Sequence, residues 1–529
     1  MKLFMAFQQY ESVIAKYYSI SQFVIIPRPL ILGLLASLRR DLENGLNQES
    51  LEQLYARTSI NTRKPFPTIT ENTTVEEFLA CMTGPRLRWE TVGTIFALAG
   101  IASFHTKASE IAGKEAFAGD MYAASKACIE ICEENGQVND GTLWMRLTNV
   151  ILASNLYGDT SKLLYQGFTL FTTDLTIMGL HRQISSPCRV PFFVSETRRR
   201  IFAAAFSRDK TLATFLGRPY QMDSRFCDTI LPLDLDDEEI VYTVPALTGA
   251  LQTLDENGWK RSPSPGQSHP LRPATVIRLR YQWSRLRERI LRLSLGNKID
   301  DLAGELDSIH QAHQTAWAPI PPQYRYTPVC WTHQTPNACV ALLIIHLDYL
   351  YTGFQLHRIY QTETEVVSNA LLDTSMELVE GMLEFVTQQE RCAELRERFI
   401  WIFLFYLLPG AGTLAASLHQ HTIPQTQTPT QAQTQTHTST TTSTSTSTPF
   451  TPPASTNTST LPNPINNPLP CSSPYSRIIR SLSVVIAWFE NKRLLLPQRS
   501  DYQVCLQISR VIGGLVDEVV DWRFTSGEE

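Results

Sequence analysis

The sequence predicts an all-α protein: a large multi-helix domain interrupted by a disordered Thr/Ser/Gln/Pro-rich insertion. Three observations carry this expectation. Apolar residues recur at spacings of three and four along most of the chain, strand-like alternation is scarce, and the apolar runs close on Gly or Pro. Of the 529 residues, 43% are hydrophobic and 18% charged, a globular composition longer than one ordinary core requires.

The elements follow in order. The chain opens at "MKLFMAFQQYESVIAKYYSI", already an apolar helix. Asp140 precedes a helix whose Leu143, Leu147, Val150, Ile151 and Leu156 form one stripe, closed by Gly158. Asp159 opens the next helix, which stops near Gly179. In "SETRRRIFAAAFSRDKTLATFLGRPYQM", Ser195 suits an N-cap, Glu196 the first turn, and Gly217 with Pro219 a terminator. Long apolar helices are expected over 274–296 and 338–360, and again after residue 476. Between them, 420–474 changes to Thr, Ser, Gln and Pro with almost no aliphatic residues. Such a tract cannot bury enough apolar area to offset chain entropy and is expected to be a disordered insertion.

The uncharged stretch 399–418 is long enough to span a bilayer at ~20 residues. Pro409, Gly410 and Gly412 at its middle favour a buried helix-turn-helix, so no membrane partner is expected. Ten cysteines lack paired spacing, which fits a reducing compartment. Cys128 and Cys132, an i, i+4 pair, read as small buried hydrophobes. A net charge of −5 argues against a chain that coats nucleic acid.

On the helix after Ser195, the residues Phe202, Ala205, Phe206, Leu212, Ala213 and Leu216 share a face with Asp209 at its centre. A carboxylate in an apolar stripe must find a cation or several donors. Arg198 is on that side but ~16 Å away at the rise of an α-helix, so the partner is expected from another helix. Arg198, Arg199 and Arg200 splay around the axis and cannot all face one groove. Gly217-Arg218-Pro219 has one glycine, no following Lys-Ser/Thr and no preceding strand, so it is no phosphate loop. The acidic run Asp234, Asp236, Asp237, Glu238 and Glu239 suggests magnesium and a diphosphate, as in an all-α terpene synthase. The second magnesium motif of that chemistry has no match, and the run, opening at Pro232, reads as a solvated loop. His181 and His357, both in Leu-His-Arg, read as helix-end or packing residues.

Taken in order, "MGLHR" (178–182), "ETRRRIFAAAFSRDKTLATFLGRP" (196–219) and "LPLDLDD" (231–237) resemble the middle homology region of fungal zinc-cluster (Zn2Cys6) transcription factors. Glu196, Arg199, Arg200, Asp209, Lys210, Gly217, Arg218, Pro219, Pro232 and His181 fit the pattern. "LRWETVG" (87–93), "DENGW" (255–259) and "LHR" (356–358) resemble its flanking features. The resemblance implies a non-enzymatic, nuclear regulator of RNA polymerase II transcription, serving a metabolic or secondary-metabolite pathway. It implies a regulatory domain over 78–419, preceded by a helical segment 1–77 and followed by helices 475–529 that pack on it. Implied partners are the transcription machinery or co-regulators, and a second copy in a homodimer. The family's zinc-binding DNA reader opens with Cys-x2-Cys, which this sequence lacks. No cofactor is therefore expected in these residues, zinc only with an N-terminal six-cysteine module, and DNA contact only through an absent or separate module. Two other expectations remain: a helical scaffold with no DNA contact, and a magnesium-dependent enzyme.

Overall fold

The computed structural model describes residues 6–43, 50–106, 113–135, 137–183, 190–261, 270–297, 299–364, 368–388, 400–423, 472–490 and 502–526. Among them there is no strand, only an isolated antiparallel bridge between Leu254 and Lys260. The longer helices are α1 (Phe7–Ile20), α2 (Arg28–Glu43), α3 (Leu51–Arg63), α4 (Trp89–Ser103), α5 (Lys114–Asn135), α6 (Asp140–Tyr157), α7 (Lys162–Ile177) and α8 (Phe192–Leu216). They continue with α9 (Pro273–Leu295), α10 (Leu302–Thr315), α11 (Pro336–Thr364), α12 (Asn369–Thr387), α13 (Leu408–Thr422), α14 (Tyr475–Glu490) and α15 (Tyr502–Ser526). Of the 420–474 tract, residues 424–471 lie outside the described residues.

Two apolar cores organise these helices. The first gathers α1, α2 and α4 to α8, and the second α11 to α15. Helix α9 belongs to both: Ile277 and Tyr281 pack into the first, Val276, Leu279 and Trp283 into the second. At the centre of the first core, α4 is buried on nearly every side, the signature of a helix surrounded by protein. Gly93 permits this, since a Cβ there would sit 2.5 Å from Met145 Sδ of α6 and 2.9 Å from Cys128 Cβ of α5. Cys128 and Cys132 are buried on α5, and burial pushes the Cys128 thiol up to about 12. These thiols behave as small apolar side chains.

Several helix starts differ from those read in the sequence. Helix α8 begins at Phe192 behind Pro191, three residues before Ser195, because Phe193 and Val194 extend its buried face. Asn139, not Asp140, caps α6, through a capping box with Thr142. Ser161, not Asp159, caps α7. Over the described residues 400–418 the expected turn is absent. A π-helical turn over Phe403–Leu407, wholly buried, carries the chain into α13 with Pro409 in its first turn. Pro409 has no N–H to donate to that preceding turn, and the spacing changes from π to α next to it. By length and composition it is α11 that could cross a bilayer, yet 83% of its most apolar window is buried in protein. It is a core helix of the second half.

Candidate functional site

The sequence motifs converge on one buried strap, residues 231–237, stapled between α8 and α9. Its first anchor is Glu196 in the first turns of α8. One carboxylate oxygen accepts from the Leu233 amide at 2.6 Å and the other from Arg199 at 3.2 Å. Glu196 is fully buried, and burial pushes its carboxyl up although Arg200 and Arg199 pull it back. The second anchor is Arg200, also fully buried. It donates to Asp237 at 2.5 Å and to the Leu235 carbonyl at 3.2 Å. Asp237 accepts in addition from the Arg28 amide at the start of α2, at 2.8 Å, so one carboxylate ties α2, the strap and α8 together.

From the other side, α9 supplies Arg278, whose guanidinium holds the carbonyl of buried Pro232 and that of Asn257 and lies 4.1 Å over the Trp259 ring. The "DENGW" turn is thereby clasped to the strap, with Gly258 at φ 76° where a side chain would be strained. Asp234 sits at the centre. It accepts from Thr275 at 2.5 Å, Tyr324 at 2.8 Å and the Lys260 amide at 3.2 Å, with Arg272 3.8 Å away. Asp236 takes Arg272 at 2.9 Å and Lys260 at 3.2 Å, and Lys260 reaches Glu239 at 2.5 Å.

The acidic run is therefore no solvated loop. Asp234 and Asp237 are buried and only Glu238 is exposed, because cations from three other parts of the chain meet the run inside the protein. Carboxylates so engaged present no open face to a magnesium-bound diphosphate. Among the described residues, no group of three or more His, Cys, Asp or Glu is arranged to hold a metal ion.

The three consecutive arginines go to three places. Arg198 forms a bidentate pair with Asp140 of α6, both bonds 2.8 Å, Arg199 turns back on Glu196, and Arg200 enters the strap.

Asp209 is buried in the apolar face, but its partner does not come from another helix. It is the next residue, Lys210, at 2.7 Å, with the Gln221 and Met222 amides each at 2.9 Å. Gly217 explains the amides. Its left-handed φ of 61° ends α8 with the Arg218 amide returned to the Ala213 carbonyl, and Pro219 prevents continuation, so the chain doubles back beside Asp209. Lys210 also donates to the Met222 carbonyl and lies between the rings of Phe206 and Tyr220, 4.0 and 4.4 Å from their centroids. Burial lowers the affinity of its ammonium for the proton, against the pull of Asp209. Gly217, Arg218 and Pro219 form an exposed turn, pinned by Arg218 4.9 Å over the Tyr165 ring of α7. His181 ends the α7 turn, its carbonyl accepting from the Asp228 amide at 3.1 Å.

Two charge centres were not read from the sequence. Arg88 and Glu90, inside "LRWETVG", form a buried pair at 3.1 Å, with Arg88 also holding the carbonyls of Asn61 and Thr62 at the end of α3. Asp348 in apolar α11 accepts from Arg287 at 2.6 Å and Tyr406 at 3.1 Å. Burial opposes its ionisation, yet Arg287 and Arg280 outweigh burial and hold the carboxyl below its usual range. A lone acid in an apolar helix is the signal that exposed Asp209, and it was present in "HLDYL" as well.

His357 lies 5.9 Å from the His310 ring. Burial, and then the charges of His310 and His313, push its imidazole down to about 4 from 6.5. The folded state thus binds fewer protons than the unfolded chain between those values. The stabilisation is complete above pH 6.5 and lost as pH falls toward 4. Denaturant titrations should show about 2–3 kcal/mol lost across that window, and His357→Gln should flatten the slope. An unchanged slope in the variant would refute the assignment.

The charged side chains at positions 196–200, 209–210 and 234–237 thus lock helices around a strap. Residues 176–296 match the family model described as the fungal specific transcription factor domain. The match begins at the C-terminal end of α7 and ends at the glycine that closes α9, so it encloses α8, the strap and α9. This stretch is thus similar to a fungal specific transcription factor domain. No curated protein and no solved structure matches the chain.

Proposed function

We propose that the chain is the regulatory part of a nuclear transcription regulator of RNA polymerase II genes, serving a fungal metabolic or secondary-metabolite pathway. The family match over 176–296 is the observation that carries this reading. In it, residues 78–419 form the regulatory domain and residues 475–529 its C-terminal cover. Its partners are co-regulators or the transcription machinery, with a second copy in a homodimer. Glu196, Arg199, Arg200, Asp209 and Lys210 act as architecture, and no cofactor is needed by these residues. DNA contact comes through a separate module, because Arg198, Arg199 and Arg200 are all taken by internal carboxylates and phosphate binding requires accessible cations. That same commitment favours, as a second reading, a scaffold that recruits partners without touching DNA.

The test is a fusion of the full chain to a heterologous DNA-binding domain in a fungal reporter strain. A change in reporter transcription of at least about threefold, in either direction, is the result expected. Output indistinguishable from the DNA-binding domain alone would overturn the proposal.

A further inference from the structure

A cavity of about 200 Å³ lies where the two cores meet. Its apolar walls come from Ile101 of α4, Leu147 and Val150 of α6, Phe168 and Phe171 of α7, and Ile277 of α9. Residues 21–25, between α1 and α2, close one side, and Trp401 another. For comparison, an engineered apolar cavity of about 150 Å³ accepts benzene, so this volume suits a body of roughly six to ten non-hydrogen atoms.

The charge on the wall is one-sided. Arg208 and Arg280 line the cavity and no Asp or Glu does. Arg208 donates through Nη2 to Asp159 and Ser154. Arg280 reaches Asp348 only at 3.5 Å, while Arg287 holds the same carboxylate at 2.6 Å. Two guanidiniums thus share one acid, and the weakly engaged one faces the cavity, beside the Trp401 ring at 5.7 Å. A half-buried cation at an apolar wall favours an anion that brings an apolar body with it.

We propose that this cavity is an effector site for a small aromatic or branched aliphatic monocarboxylate, its carboxylate on Arg280 and its apolar body among Leu147, Phe168 and Ile277. The role as effector rests on the regulator reading above; the binding does not. The ligand would bridge α4, α6, α7 and α8 of the first core to α9 and Trp401, and so couple occupancy to the packing of the two halves.

Phenylacetate is the probe, titrated calorimetrically into the full chain. Saturable binding of one molecule is expected, with 2-phenylethanol, the uncharged analogue, at least tenfold weaker. Arg280→Gln should weaken phenylacetate binding at least tenfold while keeping the fold, because Asp348 retains Arg287 and Tyr406. Ala204→Phe, which fills the cavity, should abolish it. Absence of saturable binding up to about 10 mM, equal binding of the alcohol, or binding unchanged by Arg280→Gln would each overturn the site. Should Ala204→Phe fail to fold, the arginine variant and the alcohol still decide. A fusion that drives the reporter while phenylacetate fails to bind removes the cavity proposal alone. An inert fusion with intact binding removes the regulator reading alone.

Discussion

Arg200→Met should destabilise the protein by about 3–5 kcal/mol in equilibrium denaturation, among the largest effects of any single substitution. The methionine side chain fills much of the same volume, so packing is not the main loss. What remains is Asp237, buried, with its cation gone and only the Arg28 amide still donating to it. An uncompensated buried carboxylate is the expensive species, and it would also release the Leu235 carbonyl and loosen the strap. Adding Asp237→Asn to Arg200→Met removes that charge while leaving an oxygen for Arg28. The double variant should therefore be more stable than Arg200→Met alone. If the double variant is as unstable as the sum of the two single ones, the damage comes from packing and the charge argument fails. In the reporter fusion, Arg200→Met should abolish the output and the double variant should recover part of it.

Much of the fold was legible because helices announce themselves through local period and punctuation. Gly158, Gly179 and Gly217 adopt the left-handed conformations that end α6, α7 and α8, and Gly296 caps α9. The amphipathic runs that became α14 and α15 were visible too. The buried polar framework was legible only in half: which residue needed a partner, but not which partner answered. Asp209 stood out in its stripe, yet its donors are two backbone amides, which leave no mark in a sequence, and a lysine whose long stem curls back onto its neighbour. The acidic run looked hydrophilic and hence exposed. Its cations, Arg200, Lys260 and Arg272, lie on both sides of it in the chain, and Tyr324 follows 90 residues after Asp234. The cavity has no local signature, since its walls come from segments spread over nearly four hundred residues. Local pattern encodes elements, whereas pairing between elements depends on the fold itself.

Asp209→Ala should lower the melting temperature far more than removal of residues 425–464, although the deletion takes forty times as many residues. The substitution removes the carboxylate that three groups share: the Lys210 ammonium, left with the Met222 carbonyl, and the Gln221 and Met222 amides. Lys210 is fully buried, and burial already lowers its proton affinity. Without Asp209 it must either lose its proton or hold an unpaired charge between Phe206 and Tyr220, and either outcome weakens the fold by about 3–5 kcal/mol. The return loop after Gly217 would also detach from α8. Residues 425–464 lie outside the described residues, and their Thr/Ser/Gln/Pro composition can bury little apolar area. Shortening the connection between α13 and α14 changes loop entropy only logarithmically, by less than about 1 kcal/mol for each twofold change in length. Differential scanning calorimetry of the two variants beside the parent chain decides the matter. Equal and negligible shifts would mean that Asp209 is not architectural, and a large shift for the deletion would mean that the tract contributes to the core.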